Sequence, residues 1–239
     1  MTIHLTLASA LNLRSGPDSD SAILDALPRF TPVEEIAADA QRRWLNVRAG
    51  LQQGWVSNDY LIPEALKAAY PWMARAIDEF GVGEFEDSHE PPDNPRIRSY
   101  HDTFGGPAPD RRDSVPWCSS FVNWCLDGRY DTSQVDRSAR SWRGWGEALD
   151  APEPGAITVF WRRPDPDEDA EQHGWSKAQL IEHGWNGHVA FLVETVGDQA
   201  IVFGGNQSAP ANRLGAVNKK AYPLDSDNYG VLAYRMPPG

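Results

Sequence analysis

Cysteine is almost missing from this chain, with two among 239 residues, Cys118 and Cys125. Seven positions apart on a helical stretch, they are separated by roughly 10 Å of rise, beyond the roughly 7 Å reach of a disulfide. Both are expected to be free thiols, with Cys125 a small core hydrophobe. No covalent staple is available, so apolar burial must hold the fold. Positive charge is also scarce: 22 Lys and Arg stand against 34 Asp and Glu, a net charge of −12. That balance excludes nucleic acid as a partner and simple attachment to anionic lipid, because both need a basic surface. No apolar run approaches the ~18 residues of a membrane span. Met1-Thr2-Ile3-His4-Leu5-Thr6 has neither a basic leader nor a long apolar segment, so no Sec-type signal is expected. HExxH, paired CxxC, Walker and EF-hand patterns are all lacking, so neither a metal nor a cofactor is expected.

The residues that are present fall into two patterns. Up to about residue 63, short alternating runs are separated by turn signals: Leu11-Asn12-Leu13-Arg14 before Ser15-Gly16-Pro17, Trp44-Leu45-Asn46-Val47-Arg48, Gly54-Trp55-Val56-Ser57 and Asp59-Tyr60-Leu61. Such spacing predicts a small all-β barrel or sandwich. Beyond Pro63 the period lengthens. Trp72, Met73, Ala76, Ile77 and Phe80 recur at helical spacing and stop at Gly81. Asn94-Pro95 reads as a helix cap followed by a first-turn proline. Residues 84–93 read as an acidic loop. After the Cys118 helix, strands are predicted over 156–161, 188–196, 200–204 and 229–234. Helices followed by strands indicate an α+β fold.

Three segments carry chemistry. Cys118 opens an apolar helical run, Pro116-Trp117-Cys118-Ser119-Ser120-Phe121, where unpaired amides and the macrodipole favour a thiolate and can stabilise an oxyanion. His188 begins a strand after Asn186-Gly187, placed to act as a base. The third member depends on hairpin register. A three-residue loop, Gly197-Asp198-Gln199, puts Asn206 on the His188 face, whereas a two-residue loop puts Gln207 there; Asn206 is the preferred expectation. The other five histidines read as surface or local structural residues. Trp117, Trp161 and Trp185 flank these segments and are candidates, with Gln207, to line a substrate groove.

Two resemblances follow from these blocks. Leu11–Pro17, Trp44–Val47 and Gly54–Leu61 resemble the bacterial SH3-like domain, over residues 1–63, a family that often tethers enzymes to cell-wall peptides. Asn94–Ile97, Pro116–Trp124, Ala139–Trp142, Gly187–Phe191 and Gly204–Gln207 resemble the CHAP and NlpC-type papain-like peptidoglycan hydrolases, over roughly 68–236, with a catalytic domain expected at 68–239. The likeness implies helices packed on an antiparallel sheet. It further implies a cofactor-free peptidoglycan amidase or endopeptidase with Cys118 as nucleophile, His188 as base and Asn206 as orienter. An acyltransferase using the same triad and a non-catalytic wall-binding or phage structural protein are the competing expectations. Pro154-Gly155-Ala156 departs from the Pro-Gly-Asp usual in such families, and residues 162–185 form a long acidic insertion, either a lid or an inert excursion. With no export signal, the expected site of action is the wall or periplasm, reached through a holin or a specialised secretion system. In the second case an immunity protein is an expected partner.

Overall fold

The structure is a computed structural model and describes residues 2–86, 88–104, 111–209 and 214–239. The chain divides into two compact units, Met1–Phe80 and Gly81–Gly239.

The first unit contains β1 (Ile3–Thr6), β2 (Ala10–Arg14), β3 (Ile23–Pro28), β4 (Pro32–Ala38), β5 (Trp44–Ala49), β6 (Gln52–Ser57) and β7 (Leu61–Pro63), then helices α1 (Glu64–Ala69) and α2 (Pro71–Asp78). The strands form one antiparallel sheet in the order β3-β2-β6-β5-β4-β1-β7. Alternation places Leu11 and Leu13 of β2, Leu45 and Val47 of β5 and Val56 of β6 on one face. There they meet Leu27, Val33 and Leu61 in a single cluster, so the sheet must roll around its own apolar side. Strands β1, β3 and β4 had no clear sequence signal. Ile23, Leu24 and Ile36 are exposed, which spoils the expected in-out alternation of β3 and β4. The helix with buried Trp72, Met73, Ala76 and Ile77 forms as predicted, within the first unit.

The second unit contains α3 (Pro95–His101), α4 (Cys118–Leu126), β8 (Glu147–Leu149), β9 (Ile157–Arg162), α5 (Ala170–His173), α6 (Lys177–His183), β10 (Gly187–Val196), β11 (Gln199–Ser208), β12 (Gly215–Pro223) and β13 (Tyr229–Met236). Its sheet is antiparallel, in the order β12-β11-β10-β9-β13-β8. The predicted α+β class holds. Asn94 caps α3 by accepting from the Arg96 amide, with Pro95 in the first turn. Asp113 fastens the preceding loop by accepting from the Phe85 and Asn94 amides, each at 2.9 Å. On one face of the sheet Ala156, Phe160, Ala190, Leu192 and Val202 form a core. The opposite face of β11 receives α4. A Cβ on Gly205 would lie 2.3 Å from the Trp117 ring and 2.8 Å from Phe121 Cβ, so only glycine lets the helix come this close. Cys118 and Cys125 are both free and buried, as expected. Strand β12 escaped the sequence reading because Asn218, Lys219 and Lys220 interrupt any apolar pattern.

The insertion after Arg162 is folded. Asp169 caps α5 and a Ser176/Gln179 capping box starts α6. Arg163 donates to the carbonyls of His173 and Trp175, and Arg140 to those of Leu180 and Ile181 at 2.7 and 2.6 Å. These arginines cap carbonyls near the helix ends, where intrahelical partners run out.

Candidate active site

Cys118 is the first residue of α4, and its thiol is buried. Burial pushes its pKa up. The backbone N–H groups of Val189, Ser119 and Cys118 itself pull in the other direction without overcoming desolvation. His188, second residue of β10, is also buried, and its pKa is lowered to about 4. Desolvation is the main cause, opposed by a hydrogen bond to Gln207 and assisted by the charges of Lys220 and Arg162. Both residues line one cavity of about 390 Å³. Among the described residues no hydrogen bond joins the thiol to the imidazole. Desolvation favours the neutral form of each group, the thiol and the ring.

The partner of His188 is Gln207, with Nε2 and Oε1 3.3 Å apart. The amide orientation follows from its other end. Gln207 Nε2 faces three acceptors: Asn218 O at 2.6 Å, Asn218 Oδ1 at 3.2 Å and Gly204 O at 3.2 Å. The oxygen must therefore be the atom at the imidazole, so His188 Nε2 carries the proton and donates it. Nδ1 is then the basic nitrogen. Asn218 Nδ2 also donates to Gln207 O at 3.0 Å, closing a reciprocal amide pair that fixes the glutamine.

The expectation that Asn206 orients the histidine is corrected by this geometry. Val196 pairs with Gln199 across the two-residue loop Gly197-Asp198, and that register alone would set Gln207 opposite His188. An extra residue in β10, between Leu192 and Glu194, shifts it by one. A second irregularity, in the pairing of β11 with β12, falls between Gly204 and Gln207. Asn206 sits in that second bulge with φ 56°, a left-handed conformation that Asn tolerates better than most residues. Asn206 lines the same cavity, but its amide is engaged elsewhere. In the orientation that satisfies both its atoms, it donates to Glu84 Oε1 and accepts from the Trp117 amide, each at 3.2 Å.

The tryptophan expectations are corrected as well. Trp117 and Trp161 are buried side chains that do not line the cavity. A buried indole needs a partner for its N–H, and Trp117 Nε1 donates to Glu84 Oε1 at 3.0 Å. Trp185 is 55% exposed and packs edge-on against Trp175, outside the cavity wall.

Among the cavity residues missed in the sequence are Glu84, Lys220, Tyr222 and Tyr229. Asn218, Lys220 and Tyr222 occupy alternate positions of β12, so a period of two was the available signal, hidden because no strand was predicted there. Glu84 lies in irregular backbone, and its second oxygen accepts from the Gly215 amide at 2.9 Å. Arg162 also lines the cavity. It is paired through both Nη atoms with Glu168 in the insertion, which holds the Glu168 carboxyl below its ordinary value. No cluster able to hold a metal ion is found among the described residues, and no helix among them is long and apolar enough to cross a membrane.

Comparison with solved structures finds NlpC2 from Trichomonas vaginalis, 14% identical, with 99% of this chain and 73% of that one covered and a TM-score of 0.32. It also finds an NlpC/P60 family protein from Bacillus cereus, 14% identical, with 98% and 63% covered and a TM-score of 0.33. Both likenesses are too weak to decide the chemistry, which must come from the geometry of the cavity. No curated protein matches the sequence significantly. The family described as bacterial SH3 domain matches residues 9–62, so the rolled sheet of the first unit is a bacterial SH3 domain, as its sequence blocks predicted.

Proposed function

We propose that the second unit is a cysteine-dependent amide hydrolase acting on the peptide portion of peptidoglycan, and that the SH3 domain holds it to the wall. One observation carries the reading. The helix-opening thiol and an imidazole whose Nδ1 is free to accept a proton line the same cavity, and the imidazole is held by Gln207 through Nε2. That is the division of labour of a nucleophile, a base and an orienter.

Cys118 Sγ attacks the amide carbonyl as its proton passes to His188 Nδ1. The neutral resting pair makes these two movements concerted rather than successive. Charge developing on the carbonyl oxygen is met by backbone N–H groups at the start of α4. His188 returns the proton to the departing amine, leaving an acyl thioester on Cys118. A water, deprotonated by the same nitrogen, then releases the acid. Gln207 keeps the ring in the required tautomer throughout, and Asn218 keeps Gln207 in place.

Cys118→Ala removes lysis of purified sacculi, by at least about 10³-fold, with an unchanged melting temperature. Undiminished lysis by that variant refutes the assignment. Mass spectrometry of digested muropeptides identifies the bond, and incorporation of an amine acceptor into the product in place of water identifies an acyltransferase.

A further inference from the structure

The wall of the cavity formed by β12 and β13 is rich in donors with little to donate to. Lys220 Nζ contacts Ser208 Oγ at 2.5 Å and lies 5.5 Å from the centre of the Tyr222 ring. No carboxylate is within ion-pair range of it among the described residues, although the protein carries a net charge of −12. Beside it, the Tyr222 and Tyr229 rings stack at 4.8 Å and 9°. The Tyr229 hydroxyl oxygen is buried, and the hydroxyl beside it is that of Tyr222. Burial leaves both phenols protonated, so they remain donors. The other charged groups of the cavity are already engaged: Arg162 by Glu168, and Glu84 by the Trp117 indole and the Gly215 amide. A half-buried cation held by a neutral hydroxyl and a ring face is less stable than one that also meets an anionic acceptor.

We propose that Lys220 and Tyr229, flanked by Tyr222, form a subsite for a substrate carboxylate close to the amide that is cut. The subsite selects acidic stem peptides over those whose carboxylates have been converted to carboxamides. The inference rests on Cys118 and His188 being the reacting pair, since that places the carboxylate next to the scissile bond. Recognition through an ammonium and a phenol is charge-assisted, so a carboxamide, which is neutral and presents an N–H₂ to further donors, is a poor substitute.

The test uses a synthetic peptidoglycan stem tetrapeptide and a set of twins, each with one carboxylate changed to carboxamide. Affinity is measured by calorimetry on the full chain carrying Cys118→Ala. One twin binds at least about tenfold more weakly than the parent, and Lys220→Gln added to Cys118→Ala removes the difference while Lys220→Arg retains most of it. Tyr229→Phe reduces it. Equal affinity for the parent and every twin, or no measurable binding of any of them, overturns the subsite whether or not the lysine variants fold. Turnover by the unmodified protein is scored separately. Equal hydrolysis of all twins removes the subsite alone, and carboxylate-selective binding without hydrolysis removes the hydrolase reading alone.

Discussion

The two units bury different kinds of groups. In the first, the buried polar side chains among the described residues are His4 and Thr6, both tied to neighbouring strands: His4 to Glu35 at 2.9 Å and Thr6 to the Pro28 carbonyl at 2.6 Å. Its groove, about 300 Å³, is walled by Leu11, Trp44 and Tyr60 with Arg14, Asn12 and Ser57 at hand, and among the described residues no cysteine, histidine or carboxylate lines it. The second unit buries His101, Asp113, Ser119, Ser120, Asn123, Thr158, Gln172, His188 and Gln207. Burying such groups is costly unless each is paired, and a fold tolerates that cost where the groups perform a task. The contrast sets a groove without thiol or imidazole against a cavity lined by both.

Stability offers the strongest test of that contrast. Leu45 is fully buried in the apolar cluster of the SH3 domain, so Leu45→Ala lowers the stability of that unit by about 2–5 kcal/mol. Hydrolysis of a small soluble stem peptide, followed below the melting range, stays at the unmodified rate. A comparable loss of turnover would mean that chemistry is not confined to the second unit.

The second test uses the buried imidazole. His188 has a folded pKa of about 4, against about 6.5 when exposed. Above about 6.5 neither state holds the proton, and the contribution of the neutral ring is fully present. Between there and about 4 only the unfolded chain binds it, so stability falls as pH falls, by about 3 kcal/mol across the window. Denaturant melts of the unmodified protein and of His188→Gln at pH 7 and pH 4 should differ in pH dependence by about that amount. Parallel curves would place the ring in water.

Smallest in energy, but sharpest for the site, is the pair of amides on β11. Gln207→Ala frees the imidazole to turn and lowers kcat by about 10²-fold, near 2.7 kcal/mol. Asn206→Ala, which removes contacts to Glu84 and the Trp117 amide, costs less than about tenfold. The reverse ranking, measured on one substrate, would restore Asn206 as the orienter.

Legibility followed the same division. The SH3 blocks could be read because they are local: a turn at Ser15-Gly16-Pro17, an alternation in Trp44–Arg48 and a Gly-Trp pair each announce themselves within a few residues. Asn94-Pro95 and the helical run from Cys118 were readable for the same reason, since caps and periodicity act within one or two turns. Strand β12 was not, because Lys219 and Lys220 are polar and only the walls around them make a strand of that segment. Trp117 was misjudged because sequence proximity to a reactive thiol says nothing about which way an indole points. Packed behind α4, it holds Glu84 instead of facing substrate.

Composition and local pattern were enough to determine two free thiols, an acidic chain, a β-rich N-terminal module, an α+β remainder, and a cysteine and a histidine at the starts of their elements. Those properties depend on neighbours along the chain. The amide that meets the imidazole, the hydroxyl that meets Lys220 and the depth at which the thiol lies were decided only by tertiary structure. Two single-residue irregularities, one in the β10–β11 pairing and one in the β11–β12 pairing, change the register, and side chains from β9, β12 and β13 converge on one cavity. One-residue shifts change which side chain faces the core, while the periodicity of the sequence stays the same.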